Sequence, residues 1–150
     1  MKVKRTTLIL TIFLAISAIA ASLPAPANLT VDVGPADLDL DWDDVQDATK
    51  YSVDIEGIVT FLDSEDLEVE ADIELSYGTS DRTDGGAMGD SNLTILIEDL
   101  ADAIALELGI SVEDLLWLEA EAKVKALAPG KNKGRQNNPF SNPYEFSVDF

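Results

Sequence analysis

Residues Leu38–Ile55 read L-D-L-D-W-D-D-V-Q-D-A-T-K-Y-S-V-D-I, and the rest of the chain is organised around them. Leu38, Leu40 and Trp42 alternate with Asp39, Asp41 and Asp43; after a short acidic corner Tyr51, Val53 and Ile55 alternate with Ser52 and Asp54. Successive side chains of a strand point to opposite faces, so each run presents an apolar face to a core and a charged face to water. Trp42 and Tyr51 bring the largest apolar areas, and burying such a side chain contributes roughly 1.5–3 kcal/mol. The stretch predicts two strands joined by a tight corner.

The spacing of these residues carries a family likeness. Leu40-x-Trp42, Val45, Ala48 and Tyr51-x-Val53 resemble the second and third strands of bacterial fibronectin type III domains, which often read L-x-W-x-x-V-x-x-A-x-x-Y-x-V. The resemblance implies an all-β, two-sheet immunoglobulin-like sandwich of about 100 residues with seven strands, serving as a spacer or a binding module. A fold by itself does not assign a function.

Outward from this segment, the amino terminus reads as a leader. Met1-Lys-Val-Lys-Arg5 is basic, Leu8–Ala21 is apolar without a charge, and Ala18-Ile19-Ala20 places small residues where a signal peptidase reads. Residues 1–21 are therefore expected to be a secretory signal peptide and residues 22–150 one domain, with an uncleaved membrane anchor as the alternative. The chain has no Cys, which removes lipid anchoring, disulfides and thiol chemistry. Having no His, it also lacks the commonest general base and metal ligand. Loss of Lys2, Lys4 and Arg5 with the leader would take the net charge from −19 to −22. Such a surface repels nucleic acid and anionic lipid and attracts cations and basic partners; solubility in a saline habitat is the plainer account of it.

Ser22–Asn28 reads as an extended, flexible Pro-rich lead-in, followed by a first strand in which Leu29, Val31 and Val33 alternate with polar residues. The central pair is expected to end at Gly57. Leu67–Tyr77 is the longest alternation, Leu67, Val69, Ala71, Ile73, Leu75 and Tyr77 on one side against Glu68, Glu70, Asp72, Glu74 and Ser76. Its length predicts a bulge or bend within it. Gly78–Asn92 is a loop, and Leu93, Ile95 and Ile97 mark another strand. Leu100, Ala101, Ile104, Ala105 and Leu108 then recur at helical spacing up to Gly109. A helix here departs from the resembled family, where a loop joins these strands. Ser111–Asp114 reads as a turn capped by Ser111. Leu118, Ala120, Ala122, Val124 and Ala126 alternate with charged residues as a sixth strand, with Ala120 where the family carries its corner tyrosine. These inward residues are small, and the helix is expected to pack over them. Tyr144, Phe146, Val148 and Phe150 share a face of a last strand, after which little further chain is expected.

The acidic row Asp37, Asp39, Asp41, Asp43 and Asp44 fails the register of a helix-loop-helix calcium loop, because neither alignment places Gly at the sixth and Glu at the twelfth position. It reads as the solvated face of a strand. In the Gly-rich loop, Asp81, Asp84 and Asp90 are the candidate ligands for one calcium ion, against a plain loop; no other cofactor is expected. Lys131, Lys133 and Arg135 form a basic tip on an acidic body, the candidate contact to carboxylates of a neighbouring copy, a polysaccharide or another surface protein. If the third and sixth strands pair, Asp54 and Glu56 should form a charged ladder with Lys123 and Lys125.

No nucleophile motif, phosphate-cradling loop or metal-ligand spacing is present, so the chain is expected not to be an enzyme. The expected function is a secreted, non-enzymatic binding or adhesion module at the cell surface or outside the cell. A structural spacer without a specific ligand is the alternative, and a glycan-processing role built on paired carboxylates the remote one.

Overall fold

The computed structural model describes residues 22–79, 91–128 and 137–150. It contains β1 (Thr30–Val33), β2 (Asp37–Asp41), β3 (Lys50–Leu62), β4 (Glu68–Gly78), β5 (Asn92–Leu96), α1 (Ile97–Leu108), a 3₁₀ turn (Val112–Asp114), β6 (Leu115–Leu127) and β7 (Tyr144–Asp149). Two antiparallel sheets form, one of three strands in the order β1-β2-β5 and one of four in the order β4-β3-β6-β7.

The alternation around Trp42 sets this up. Leu38, Leu40, Trp42, Tyr51, Val53 and Ile55 are all buried, while Asp39, Asp41 and Asp43 are exposed. Trp42 and Tyr51 meet edge to face, ring centroids 5.2 Å apart at 67°, an arrangement aromatic pairs prefer to stacking face on face. The Tyr51 hydroxyl reaches back to accept the Val45 N–H at 2.9 Å. Asp47 supplies the left-handed residue of the corner, at φ 70°. A tyrosine thus pins a corner of this sandwich, but from the third strand, with Ala120 standing where the family's corner tyrosine was expected.

Several expectations are corrected. β3 does not stop at Gly57 but runs unbroken to Leu62, because Gly57 lets β6 come close: a Cβ there would lie 2.7 Å from both Cα and Cβ of Ala120. β4 pairs with β3 without interruption from Glu68 to Gly78. The irregularity lies in the β3–β6 pairing, where Thr60 opposes Trp117 and Phe61 opposes Leu115, leaving Leu116 as the extra residue. Ile97 opens the helix instead of closing a strand, and Ser111 makes no side-chain cap. The Pro-rich lead-in is fastened: Leu23 N–H donates to Asn138 Oδ1 (3.1 Å), Asp43 N–H donates to Ala27 C=O (2.9 Å), and Pro26 is buried.

α1 buries Leu100, Ala101, Ile104 and Ala105, and its backbone comes close to β4, β5 and the 3₁₀ turn. β4 and β5 are edge strands of their respective sheets. The helix therefore closes one open side of the sandwich, while β1 and β7 adjoin on the other. Gly109 ends it in the left-handed conformation (φ 68°), and the N–H groups of Gly109 and Ile110 both return to Ala105 C=O.

Candidate interaction surface

The two long strands of the larger sheet put their charged positions on its outer face, and the register stacks them in rows across the strands. Glu74 of β4 lies opposite Glu56 of β3, Glu56 opposite Glu121 of β6, and Glu121 opposite Glu145 of β7. Four glutamates thus form one row across the whole sheet. The row beyond it reads Asp72, Ile58, Glu119 and Ser147; the next reads Glu70, Thr60, Trp117 and Asp149. Like charges directly opposite one another destabilise a sheet by roughly 0.2–1 kcal/mol per pair. The smaller sheet repeats the pattern once, with Asp32 opposite Asp39.

This face is concave in two places. Glu56, Asp72, Glu74, Glu107 and Glu121 rim an open groove of about 560 Å³ on the α1 side, floored by Gly57 and Ile73. A second groove of about 560 Å³ lies on the β7 side between Glu119, Glu121, Glu145 and Phe146. Between them Ile58 is 44% exposed. The grooves present carboxylates around a small apolar floor, which suits a cationic group on an aliphatic stem. Among the described residues no three carboxylates converge closely enough to hold a metal ion.

At the other end of the same face sit Lys50, Lys123 and Lys125, the three cations among the described residues. Lys123 lies opposite Asp54 and forms a 2.7 Å ion pair with Glu56, the diagonal neighbour. The hydrogen bond it donates to Glu56, with Asp54 and Glu121 close by, raises its ammonium above the ordinary lysine value. The expected ladder is therefore present at Lys123. Lys125 instead lies opposite Ser52, its ammonium 4.8 Å from the Phe140 ring centre, with that of Lys123 at 5.1 Å. Asp54 accepts a hydrogen bond from the Ser76 hydroxyl at 2.8 Å.

Beside this lysine end, Asn138 and Ser141 fasten the returning chain. Asn138 Nδ2 donates to Ala126 C=O at 2.8 Å; the Val124 N–H donates to Ser141 Oγ at 3.0 Å, and the Ser141 N–H donates to Val124 C=O at 2.8 Å. The solvated reading of the β2 carboxylates holds: Asp39 accepts from the Thr94 hydroxyl at 2.6 Å and Asp43 from the Asn28 amide at 2.7 Å. The candidate calcium ligands Asp81, Asp84 and Asp90, and the basic tip Lys131, Lys133 and Arg135, lie outside the described residues. The glutamate row escaped sequence reading because it depends on register between four strands. Its only sequence signal is the recurrence of acidic residues at alternate positions, as in Glu68, Glu70, Asp72 and Glu74 of β4 and Glu119 and Glu121 of β6.

No family model and no curated protein matches the chain. Among solved structures it is similar to the fn3 domain of the human collagen alpha-1(XX) chain, at 16% identity over 85% of this chain and 84% of that one, with a TM-score of 0.35. The strand order β1-β2-β5 against β4-β3-β6-β7, with the Trp42–Tyr51 pair between the layers, is that of a fibronectin type III-like β-sandwich carrying a helix between its fifth and sixth strands.

Proposed function

We propose that the chain is a secreted, non-catalytic binding or adhesion module that engages basic groups of a partner at the cell surface or outside the cell through the outer face of its four-stranded sheet. The observation that carries this reading is the row Glu74–Glu56–Glu121–Glu145. Directly opposed carboxylates work against the stability of the sheet that holds them, so their concentration over two grooves points to a role in recognition. The apolar leader residues support export; among the described residues no helix is long and apolar enough to cross a membrane.

The test is binding of the chain to arrays of basic peptides and of amino-sugar and acidic polysaccharides, in low and in physiological salt. Basic ligands should be retained and should be lost from a Glu56→Gln/Glu74→Gln/Glu121→Gln/Glu145→Gln variant. Equal retention by that variant removes the face as the site. Retention of nothing favours the spacer reading. Hydrolysis of a labelled polysaccharide would be needed to revive an enzymatic role.

A further inference from the structure

The four-stranded sheet has an open edge, β4, and its backbone phase can be read. At one end of the β3–β4 pair the Asp63 N–H donates to Leu67 C=O at 2.9 Å; at the other the Thr79 N–H donates to Tyr51 C=O at 3.0 Å. Antiparallel partners alternate between exchanging hydrogen bonds and exchanging none. With the register running from Leu62 opposite Glu68 to Ser52 opposite Gly78, Val69, Ala71, Ile73, Leu75 and Tyr77 bond to β3. The amides of Glu68, Glu70, Asp72, Glu74 and Ser76 therefore point away from it. α1 lies beside the second half of β4, with Asp99 near Tyr77 and Glu107 on the groove rim with Ile73 and Glu74. Glu68–Glu70 continues past the helix, with Asp72 on the groove rim beside Glu107, and there the residues with outward amides also carry the outer-face carboxylates.

We propose that the Glu68–Asp72 edge accepts an extended strand from a second copy of this chain, the segment bearing Lys131, Lys133 and Arg135. In an added strand every second side chain shares a face, and these three cations stand at every second position. Aligned on β4 they fall opposite Glu68, Glu70 and Asp72, so backbone pairing and charge pairing share one register. A chain cannot serve its own edge. Leu127 is level with Lys50 on β3 and Glu70 with Thr60, ten residues apart and so about 33 Å along the strand. Asn138 bonds back to Ala126 C=O, so the residues joining it to Ala128 are too few to span that distance twice. Two β4 edges cannot pair with each other either, since antiparallel pairing would set carboxylate rows face to face. The contact is head to tail, and such contacts propagate into rings or open filaments.

This inference deepens the binding-module reading, and one experiment separates the two. Sedimentation velocity of the full chain over a concentration series in about 50 mM salt should show species beyond the dimer that dissociate in about 1 M salt, where charges are screened within ~3 Å. Lys131→Glu/Lys133→Glu/Arg135→Glu should weaken association at least tenfold, and adding Glu68→Lys/Glu70→Lys/Asp72→Lys to that variant should restore it. Glu70→Pro, which removes an amide facing away from β3, should weaken association more than Glu70→Gln; circular dichroism melts show that each variant is folded. A chain monomeric at every concentration, a dimer that goes no further, or association indifferent to Glu70→Pro and to the charge swap overturns the proposal. A monomer that still captures basic peptides leaves the binding reading standing without it.

Discussion

Tyr51 concentrates more of the fold in one side chain than any other residue. Its ring closes on Trp42, its hydroxyl accepts the Val45 N–H, and its own N–H donates to Thr79 Oγ1 at 3.0 Å. Tyr51→Phe leaves the Val45 N–H without its partner in a buried setting and is expected to cost about 1–3 kcal/mol in urea unfolding. Burial raises the phenol above 10.0, opposed by the Val45 hydrogen bond and reinforced by Asp44. Its neutral form is thus favoured in the folded state, so the stability it contributes is complete below pH ~10 and is lost as pH climbs through the folded value. Alkaline unfolding curves should show that loss, and Tyr51→Phe should flatten it; Tyr77, raised by burial and by Asp99, and Lys123, raised by its bond to Glu56, contribute to what remains. Gly57 is the second such residue. Gly57→Ala would force its methyl against the backbone of β6 and is expected to cost about 1–3 kcal/mol by overpacking. The aromatic pair was legible in the sequence from spacing. The role of Gly57 was not, because close approach of another strand leaves no local mark.

At the scale of elements, α1 shows what periodicity can and cannot say. Its apolar stripe, its length and its glycine stop follow from local rules, and Leu100, Ala101, Ile104 and Ala105 are the residues it buries. Its docking beside β4 and β5 is decided by where the two sheets leave a gap. Ile104→Ala should cost about 2–5 kcal/mol in denaturant titration. Leu106, 84% exposed on the far side, should tolerate Lys within about 0.5 kcal/mol. The β3–β6 ladder divides similarly. The charge ladder was anticipated from that pairing, yet one lysine went to a carboxylate and the other to Phe140, since a twisted sheet also offers diagonal neighbours. Glu121 stands directly between Glu56 and Glu145, so Glu121→Gln is expected to stabilise the protein by a few tenths to about 1 kcal/mol.

Over the whole molecule, 29 acidic against 10 basic residues make self-repulsion a general term in stability. The described cations are gathered at one end of one face, so among the described residues carboxylates far outnumber the cations beside them. Raising salt from about 10 mM to 0.5 M shortens the screening length from ~30 Å to a few ångströms. The melting temperature should rise over that range in scanning calorimetry; a flat profile would mean that the carboxylates are already neutralised by bound cations. The quadruple glutamine variant of the glutamate row should melt higher than the wild type at low salt and converge with it at high salt.

Alternation along each strand, the Trp–Tyr spacing, the helical stripe and the charge imbalance were properties of the sequence alone, since each depends on neighbours within a few positions. Burial then followed, because an alternating strand has one apolar side to hide. Which strand lies beside which, the alignment of four glutamates into a row, the side on which the helix seals the sandwich and the outward turn of the β4 amides were decided only in the tertiary structure. Each is a relation between segments distant in the chain, fixed by strand register and sheet twist, and no local pattern encodes it.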